Sequence, residues 1–203
     1  MSESATPVQP VNECIVSRWF GKRFHDLHPG LQALHRGGGR LSGAVEIRVG
    51  TGIGGWIGKR LAKSLGVPVD LSSRGFRVDI SHTEDALVWL RRFDNGAVLK
   101  SSFLPVGVWP EGYWIEETGA LRLELAVDIV DQGWQWRPLR ASFKGFPLPL
   151  WLLPQSKAGK RILGNGNYLF AVEFRLPVVG LLLGYGGELE VEANTAMYIA
   201  PRF

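Results

Sequence analysis

The stretch ALVWLRRFDNGAVLKSSF, residues 86–103, joins two apolar and aromatic segments through Asp-Asn-Gly. Asn and Gly tolerate the positive φ angles of tight turns, so residues 94–96 are typical of a hairpin loop. Parallel strands would need a crossover of a dozen or more residues, which is absent here. The stretch therefore predicts two antiparallel strands, 86–93 and 97–103.

The same pattern extends to both sides of this hairpin. After Pro68 several connections between strand-like segments are as short as hairpin turns, and no helix is predicted between them. A sheet of eight or nine such strands curls into a barrel or folds into a sandwich to protect its edges. We therefore expect a β-rich α+β fold with a large, curled, mostly antiparallel sheet. Its other predicted strands are 43–49, 76–82, 112–117, 121–130, 134–143, 167–176 and 181–192.

Two or three helices are predicted in the N-terminal third and are expected to pack on the sheet. Apolar residues recur at helical spacing from Ile15 to Leu27, and Pro29 can open a second helix. Residues 53–65 predict a third, with Ile53, Ile57, Leu61 and Leu65 as its sheet-facing stripe. Residues 1–11 are expected to form a flexible tail, and residues 12–203 one globular domain.

Composition narrows the classes of protein. Of 203 residues, 45% are hydrophobic, which excludes general disorder. The single cysteine, Cys14, and the lack of a leader pattern favour a cytoplasmic, soluble protein. Apolar runs fall short of the ~20 residues that span a bilayer.

The segment from Arg18 to Lys63 contains nine basic residues and two acidic ones. This charge would suit nucleic acid, anionic lipid or an acidic partner, but without a nucleic-acid motif a solvated helix surface is favoured.

Gly50, Gly52 and Gly55 have the G-x-G-x-x-G spacing of a dinucleotide-binding turn. That fold requires a preceding strand buried on both faces, whereas this one carries Glu46 and Arg48. No further βα units follow. We therefore interpret the glycines as a strand-to-helix corner at which the helix passes close to another backbone, and we predict no cofactor.

The start of that helix remains a hypothetical anion site. Free N–H groups at a helix N-terminus attract phosphate or carboxylate groups. Gly52, Gly54 and Lys59 are the residues that would form it.

Three histidines, His25, His28 and His35, raise the possibility of a metal site. Pro29-Gly30 interrupts the segment, and no cysteine or carboxylate pair completes a ligand set. We therefore predict no metal, and a histidine that caps the turn before Pro29.

Glu116 and Glu117 are neighbours on a predicted strand, so they point to opposite faces of the sheet. One of them is expected to point inward, and a buried carboxylate needs a partner such as Arg91, Arg92 or Arg137. Such a pair is either a structural fixture or the polar anchor of a ligand pocket. No catalytic motif accompanies it.

Aromatic and apolar segments supply a possible lining for a pocket. Trp134 and Trp136 share one strand face, and Trp109 and Trp114 flank a Pro-Glu-Gly turn. The segment FPLPLWLLP, 146–154, is interpreted as an apolar loop. It could pack over the core, cover a pocket or enter a membrane interface.

The order of several motifs resembles one known family. These motifs are FHDLHPGLQALH (24–35), GTGIGG (50–55), WLRRFDNG (89–96), WIEETG (114–119), FPLPLWLLP (146–154) and LGYGGEL (183–189). They resemble the bacterial domain of unknown function numbered 4166. Some of its members look like C-terminal appendages of saccharopine-dehydrogenase-like reductases. The resemblance implies functional roles for Arg92, Phe93, Glu116, Pro147, Pro149 and Tyr185.

The leading hypothesis is that the chain binds an apolar or amphipathic small molecule or lipid in a cavity of the curled sheet. The predicted ligand-binding residues are Arg92, Glu116, Tyr185, Trp89, Trp114 and Trp136. Two alternatives stay open: an accessory module that docks on a reductase partner, and an enzyme that uses Glu116 and an arginine.

Overall fold

The computed structural model describes residues 13–150 and 159–193. The predicted tail, 1–11, and residues 151–154 of the predicted apolar loop lie outside this part of the chain. The helices within it are α1 (Ile15–Phe20), a short 3₁₀ helix (Gly21–Asp26), α2 (Pro29–Gly37) and α3 (Gly52–Leu65).

Strands make up most of the described chain. In order they are β1 (Gly39–Val49), β2 (Ser73–His82), β3 (Leu87–Phe93), β4 (Val98–Val106), β5 (Tyr113–Thr118), β6 (Leu121–Val130), β7 (Gly133–Phe143), β8 (Phe146–Leu148), β9 (Gly159–Ile162), β10 (Tyr168–Leu176) and β11 (Gly180–Ala193). All nine predicted strands are present. Two short ones, β8 and β9, were not predicted, and β8 corrects the interpretation of 146–148 as loop.

The hairpin of the opening stretch forms as predicted. Arg92 pairs with Val98 across the turn, and Gly96 adopts a φ of 85° that an L side chain rarely accepts. Every strand pairing in the described residues is antiparallel. The local turn chemistry therefore determines the direction of the whole sheet.

The sheet closes into a barrel rather than a sandwich. Neighbouring strands run in the order β6-β5-β4-β3-β2-β1-β11-β10-β9-β7, and β7 pairs back onto β6. Ten strands thus form the ring, and β8 is an additional strand on the edge of β7. Closure leaves no unpaired edge in the ring and creates an interior towards which alternate side chains point.

The first two helices close one end of the barrel, as expected from their apolar faces. The Trp19 indole donates to the Val106 carbonyl, and the His28 backbone N–H donates to Gln132 in the β6–β7 turn. Trp19 and Phe20 are almost fully buried and pack against Trp114 and Trp134 respectively. This end is therefore filled by aromatic side chains.

Helix α3 packs against β11, and the prediction of its buried face is correct only towards its C-terminal end, where Leu65 is buried. Gly54, Gly58 and Ala62 are buried, whereas Ile53 is 73% exposed. A Cβ atom on Gly58 would overlap the carbonyl oxygen of Leu182 in β11. The helix approaches the strand through its glycines, because only a residue without a side chain permits this backbone contact. Ile53 and Trp56 are consequently turned outward, whereas Leu65 at the end of the helix is buried in the core.

None of the helices in the described ranges, 13–150 and 159–193, is long and apolar enough to cross a membrane.

Candidate functional site

The interior of the barrel contains a cavity of about 90 Å³. Apolar side chains such as Leu121, Val172 and Phe174 line it on the side of the β5–β6 and β10–β11 turns, away from α1 and α2. Six polar or titratable residues also line it: Arg91, Glu116, Thr118, Lys160, Tyr168 and Tyr185. A cavity with an apolar wall and convergent polar groups is the usual form of a small-molecule site.

Arg91 enters the interior because it follows the alternation of β3. Trp89, Arg91 and Phe93 are all buried, and Arg91 is only 6% exposed. Its guanidinium donates to the Ser101 hydroxyl at 2.8 Å, and that hydroxyl contacts Thr118 Oγ1 at 2.5 Å. Burial of a guanidinium is costly without such partners.

A chain of hydroxyl groups connects Arg91 to the carboxylate of the site. Thr118 Oγ1 donates to Glu116 Oε1 at 3.2 Å, so the Ser101 hydroxyl is left to donate to Thr118. The chain therefore holds the cation and the carboxylate at opposite ends of two hydroxyl groups, with the Arg91 Nε atom unpaired within the described residues.

Lys160 is the second buried cation of the cavity. Its side chain enters from β9, and the residue is 5% exposed. The Nζ atom lies 3.9 Å from the centre of the Trp134 ring, 4.1 Å from that of Trp89 and 5.1 Å from that of Trp136. It has no hydrogen-bond partner within residues 13–150 and 159–193. The amine thus projects into a cage of indole rings.

The surroundings of this amine favour its neutral form. Burial among the rings lowers the pKa of Lys160 well below its usual value, and the positive charge of Arg91 lowers it further, against an opposing contribution from Glu116. Burial also raises the pKa of Tyr168 and, to a smaller extent, of Tyr185. Both phenols therefore keep their protons at neutral pH.

His35 packs behind the cage, on the side of α2. Its imidazole stacks on Trp134 with ring centres 4.6 Å apart, and both ring nitrogens lack a partner among the described residues. Burial lowers the pKa of His35 well below its usual value, with further contributions from Lys160 and His82. The ring is therefore a neutral, stacked core residue.

Four of the six predicted ligand-binding residues line the cavity: Glu116, Tyr185, Trp89 and Trp136. Arg92 and Trp114 do not. Arg92 points out of the barrel to the carboxylate of Asp79, since it has the opposite parity to Arg91. Trp114 is buried against Trp19 instead, at a ring-centre distance of 5.3 Å.

The other members of the family pattern have less direct positions. Phe93 lies in the core against Phe76 and Tyr185. Pro147 and Pro149 are exposed. The remaining proposed partner of the inward carboxylate, Arg137, forms an ion pair with Asp128 on the outer surface.

Sequence reasoning missed the central residue of the site, Lys160, and left Arg91 as one of three alternatives. The parity of β3 was a usable signal, because Trp89 and Phe93 are apolar and Arg91 shares their face. Lys160 lies in Gly-Lys-Arg-Ile, a polar segment whose local pattern is typical of an exposed turn. Only the pairing of β9 with β10 and β7 turns its side chain inward.

The glycine corner forms between β1 and α3 as predicted. Gly52 adopts a φ of 55°, and a Cβ on Gly54 would lie 2.9 Å from the Leu181 carbonyl oxygen. Lys59 is exposed on the helix. Anion binding at Gly52, Gly54 and Lys59 stays a prediction.

The three histidines are separate. His25 is exposed, and His28 caps α2 by accepting from the Gly30 N–H at 3.1 Å, as predicted for the turn before Pro29. His35 belongs to the core described above. Within the described residues no group of three metal-ligating side chains is brought together.

Comparison with known proteins identifies the family of the chain. No curated protein matches the chain. The family model described as "Domain of unknown function (DUF4166)" matches residues 27–189, which include nine strands of the barrel ring, the tenth, β11, as far as Leu189, and all six polar residues of the cavity. The chain therefore belongs to this family.

Proposed function

We propose that the chain binds a small amphipathic molecule inside the barrel. Its anionic head, a carboxylate, lies against Arg91 and Lys160, and its apolar part extends towards Leu121, Val172 and Phe174. The observation that carries the proposal is a pair of buried basic side chains, each with an unsatisfied donor, on the wall of a cavity.

The charge of the site supports an anion. Arg91 is a permanent cation, and the neutral Lys160 amine can still donate a hydrogen bond to an anion. Among the described residues, Glu116 is the only carboxylate that lines the cavity. The Arg91 Nε and Lys160 Nζ atoms are donors without partners in the described part of the chain. A bound carboxylate would satisfy both donors.

The volume of the cavity limits the ligand. At about 90 Å³ it is smaller than a cavity of ~150 Å³ that holds benzene. It therefore admits a carboxylate and a few carbon atoms, and a longer apolar chain would project towards the open end. An expected lipid ligand is therefore either short or only partly enclosed, with the rest of its chain outside the cavity.

Calorimetric titration with butyrate and hexanoate tests this proposal. We expect binding to wild type, and a loss of about tenfold to a hundredfold in Arg91→Met, the equivalent of a charged hydrogen bond worth ~1.5–3 kcal/mol. Arg92→Met is the matched control, because Arg92 is the residue next to Arg91 on β3 and its side chain lies on the outer surface. Equal affinity of the two variants, or no binding to wild type, would contradict the proposal.

A second proposal is peripheral contact with an anionic bilayer through the outer face of α3. Ile53 and Trp56 are 73% and 59% exposed, and Val178 in the β10–β11 turn is fully exposed beside them. Helix α3 contains no acidic residue. Its exposed basic residues are Lys59, Arg60 and Lys63. Aromatic and basic side chains on one exposed surface suit a membrane interface.

Co-sedimentation with phosphatidylglycerol vesicles tests this contact. We expect wild type to sediment, and the variant Ile53→Ser with Trp56→Ser to stay in solution. Val98→Ser is a control, because this exposed apolar residue lies on β4 rather than on α3. Equal sedimentation on phosphatidylcholine vesicles, or no effect of the double variant, would contradict it.

The remaining expectations stay predictions. Docking on a reductase rests on the family resemblance alone. One globular domain over 12–203 and a cytoplasmic location are parts of the proposal that need truncation and fractionation experiments.

A further inference from the structure

We propose that Lys160 is a nucleophile that captures the carbonyl group of a small oxo carboxylic acid as an imine. This inference rests on the proposed binding of a carboxylate in the barrel, and it identifies the class of ligand as a ketone or aldehyde acid. It also gives a chemical role to the buried amine, which an ordinary carboxylate site would not require.

The position of the amine suits this reaction. The Nζ atom lies within a cage of aromatic rings at the wall of the cavity and donates to no described group. A free lone pair is needed to attack a carbonyl carbon, and a dry site favours the imine over its hydrolysis.

The charges around the amine keep it reactive. Burial and the neighbouring Arg91 guanidinium lower the pKa of Lys160, which favours the neutral, nucleophilic form of the amine. A lysine that is desolvated or placed beside another cation is a common way to activate an amine. Glu116 can then stabilise the positive charge of the iminium ion that forms.

Arg91 can position the substrate. Arg91 and Lys160 line the same small cavity, and both side chains lie near the Trp89 ring. A carboxylate bound to Arg91 inside this cavity would hold the carbonyl group of a short oxo acid in the same enclosed space as Lys160. The apolar side chains of the cavity receive the remaining carbon atoms.

The step is balanced without an oxidant or a cofactor. The nitrogen lone pair forms a bond to the carbonyl carbon, and the carbonyl oxygen takes up a proton. The resulting carbinolamine loses its hydroxyl group as water while a C=N bond forms. Glu116 and the Tyr168 hydroxyl, which has no partner among the described residues, line the cavity and can carry these protons.

Borohydride trapping tests the inference. Wild-type protein is incubated with pyruvate, acetoacetate or levulinate, reduced, and analysed by intact mass and peptide mapping. Reduction of an imine leaves a secondary amine, so the protein gains the mass of the acid less one oxygen atom. We expect this adduct on Lys160 with at least one acid, and we expect butyrate to suppress it by competition.

Lys160→Arg keeps a basic side chain but lacks the amine that forms the adduct, and Lys100→Arg is the matched control on the outer surface. Because the map locates the adduct in wild type itself, the result does not depend on folding of the variant. An adduct on exposed lysines only, with the oxo acids still displacing butyrate in calorimetry, overturns the imine and leaves carboxylate binding intact. Absence of binding by butyrate and by all three oxo acids overturns the proposed function as well.

Discussion

The Nζ atom of Lys160 lies 3.9 Å from the centre of the Trp134 ring, although the two residues belong to different strands, β9 and β7. The pairing of Trp134 with Lys160 in the ladder fixes this contact. It places the amine inside the barrel, where water cannot reach and solvate it. We therefore expect the buried amine to lower the stability of the protein, and the same residue is the proposed nucleophile.

Lys160→Met should stabilise the unliganded protein at neutral pH. Methionine fills a similar volume and removes the cost of burying an amine, so we expect a gain of about 1–3 kcal/mol in the free energy of unfolding. Lys100→Met on the surface should change stability little. Urea denaturation measures both. A loss of stability in Lys160→Met alone would show that the contacts of the cation with the rings outweigh its burial.

His35→Phe should make the protein less sensitive to acid. The folded pKa of His35 is lowered, so below the usual pKa of ~6.5 the unfolded chain binds a proton that the folded chain excludes. Stability is therefore full above that value and falls by about 1 kcal/mol per pH unit below it. Phenylalanine keeps the stacking on Trp134 and removes this contribution.

Thermal midpoints between about pH 5 and 8, the range in which a histidine titrates, check this prediction. Lys160 and His82 also affect the His35 ring and remain in the variant, so the difference between the two curves isolates His35. His25→Gln, at an exposed position, should follow wild type. Parallel curves for wild type and His35→Phe would contradict the prediction.

Gly58→Ala should destabilise the protein by about 1–3 kcal/mol or more, because the new Cβ would overlap the Leu182 carbonyl oxygen. The control is Gly37→Ala in α2, where nothing lies within 4 Å of the added atom. Alanine has the higher helix propensity, so the control should be neutral or slightly stabilising. Equal midpoints in thermal unfolding would show that α3 moves away from β11 without cost.

Thr118→Val should cost about 1–3 kcal/mol, because Ser101 and Glu116 both lose a hydrogen-bond partner in the interior. Thr51→Val is a suitable control, since this exposed residue caps α3 without a side-chain hydrogen bond. Chemical denaturation compares them. A neutral Thr118→Val would indicate that water replaces the hydroxyl group.

The strands and their directions were predictable because the turns and the alternation of side chains are local. Adjacent residues of a strand point to opposite faces, so the inward direction of Glu116, two residues after Trp114, was one of two possibilities. Arg92 was assigned to the site from the family pattern, yet its parity places it outside the barrel beside Asp79. In this case the geometry of the strand was the better guide than the motif.

The exposure of Ile53 on α3 and the inward direction of Lys160 could not be predicted, for different physical reasons. Hydrophobic periodicity weighs large side chains, whereas α3 packs through glycines whose contribution is close backbone contact. The inward direction of the Lys160 side chain depends on the pairing of its four-residue strand, β9, with both β10 and β7. Non-local pairing of this kind leaves no periodic signal in the sequence.

The pairing of β1 with β11 has a consequence for how the protein is made. Leu41 lies opposite Val191, so the ring cannot close until nearly the whole described chain has left the ribosome. Contacts between residues so far apart in sequence form slowly, because a large loop must first be closed. Arg91 and Lys160 are synthesised before that closure and remain hydrated until it occurs. Desolvation of the interior is therefore among the last events of assembly.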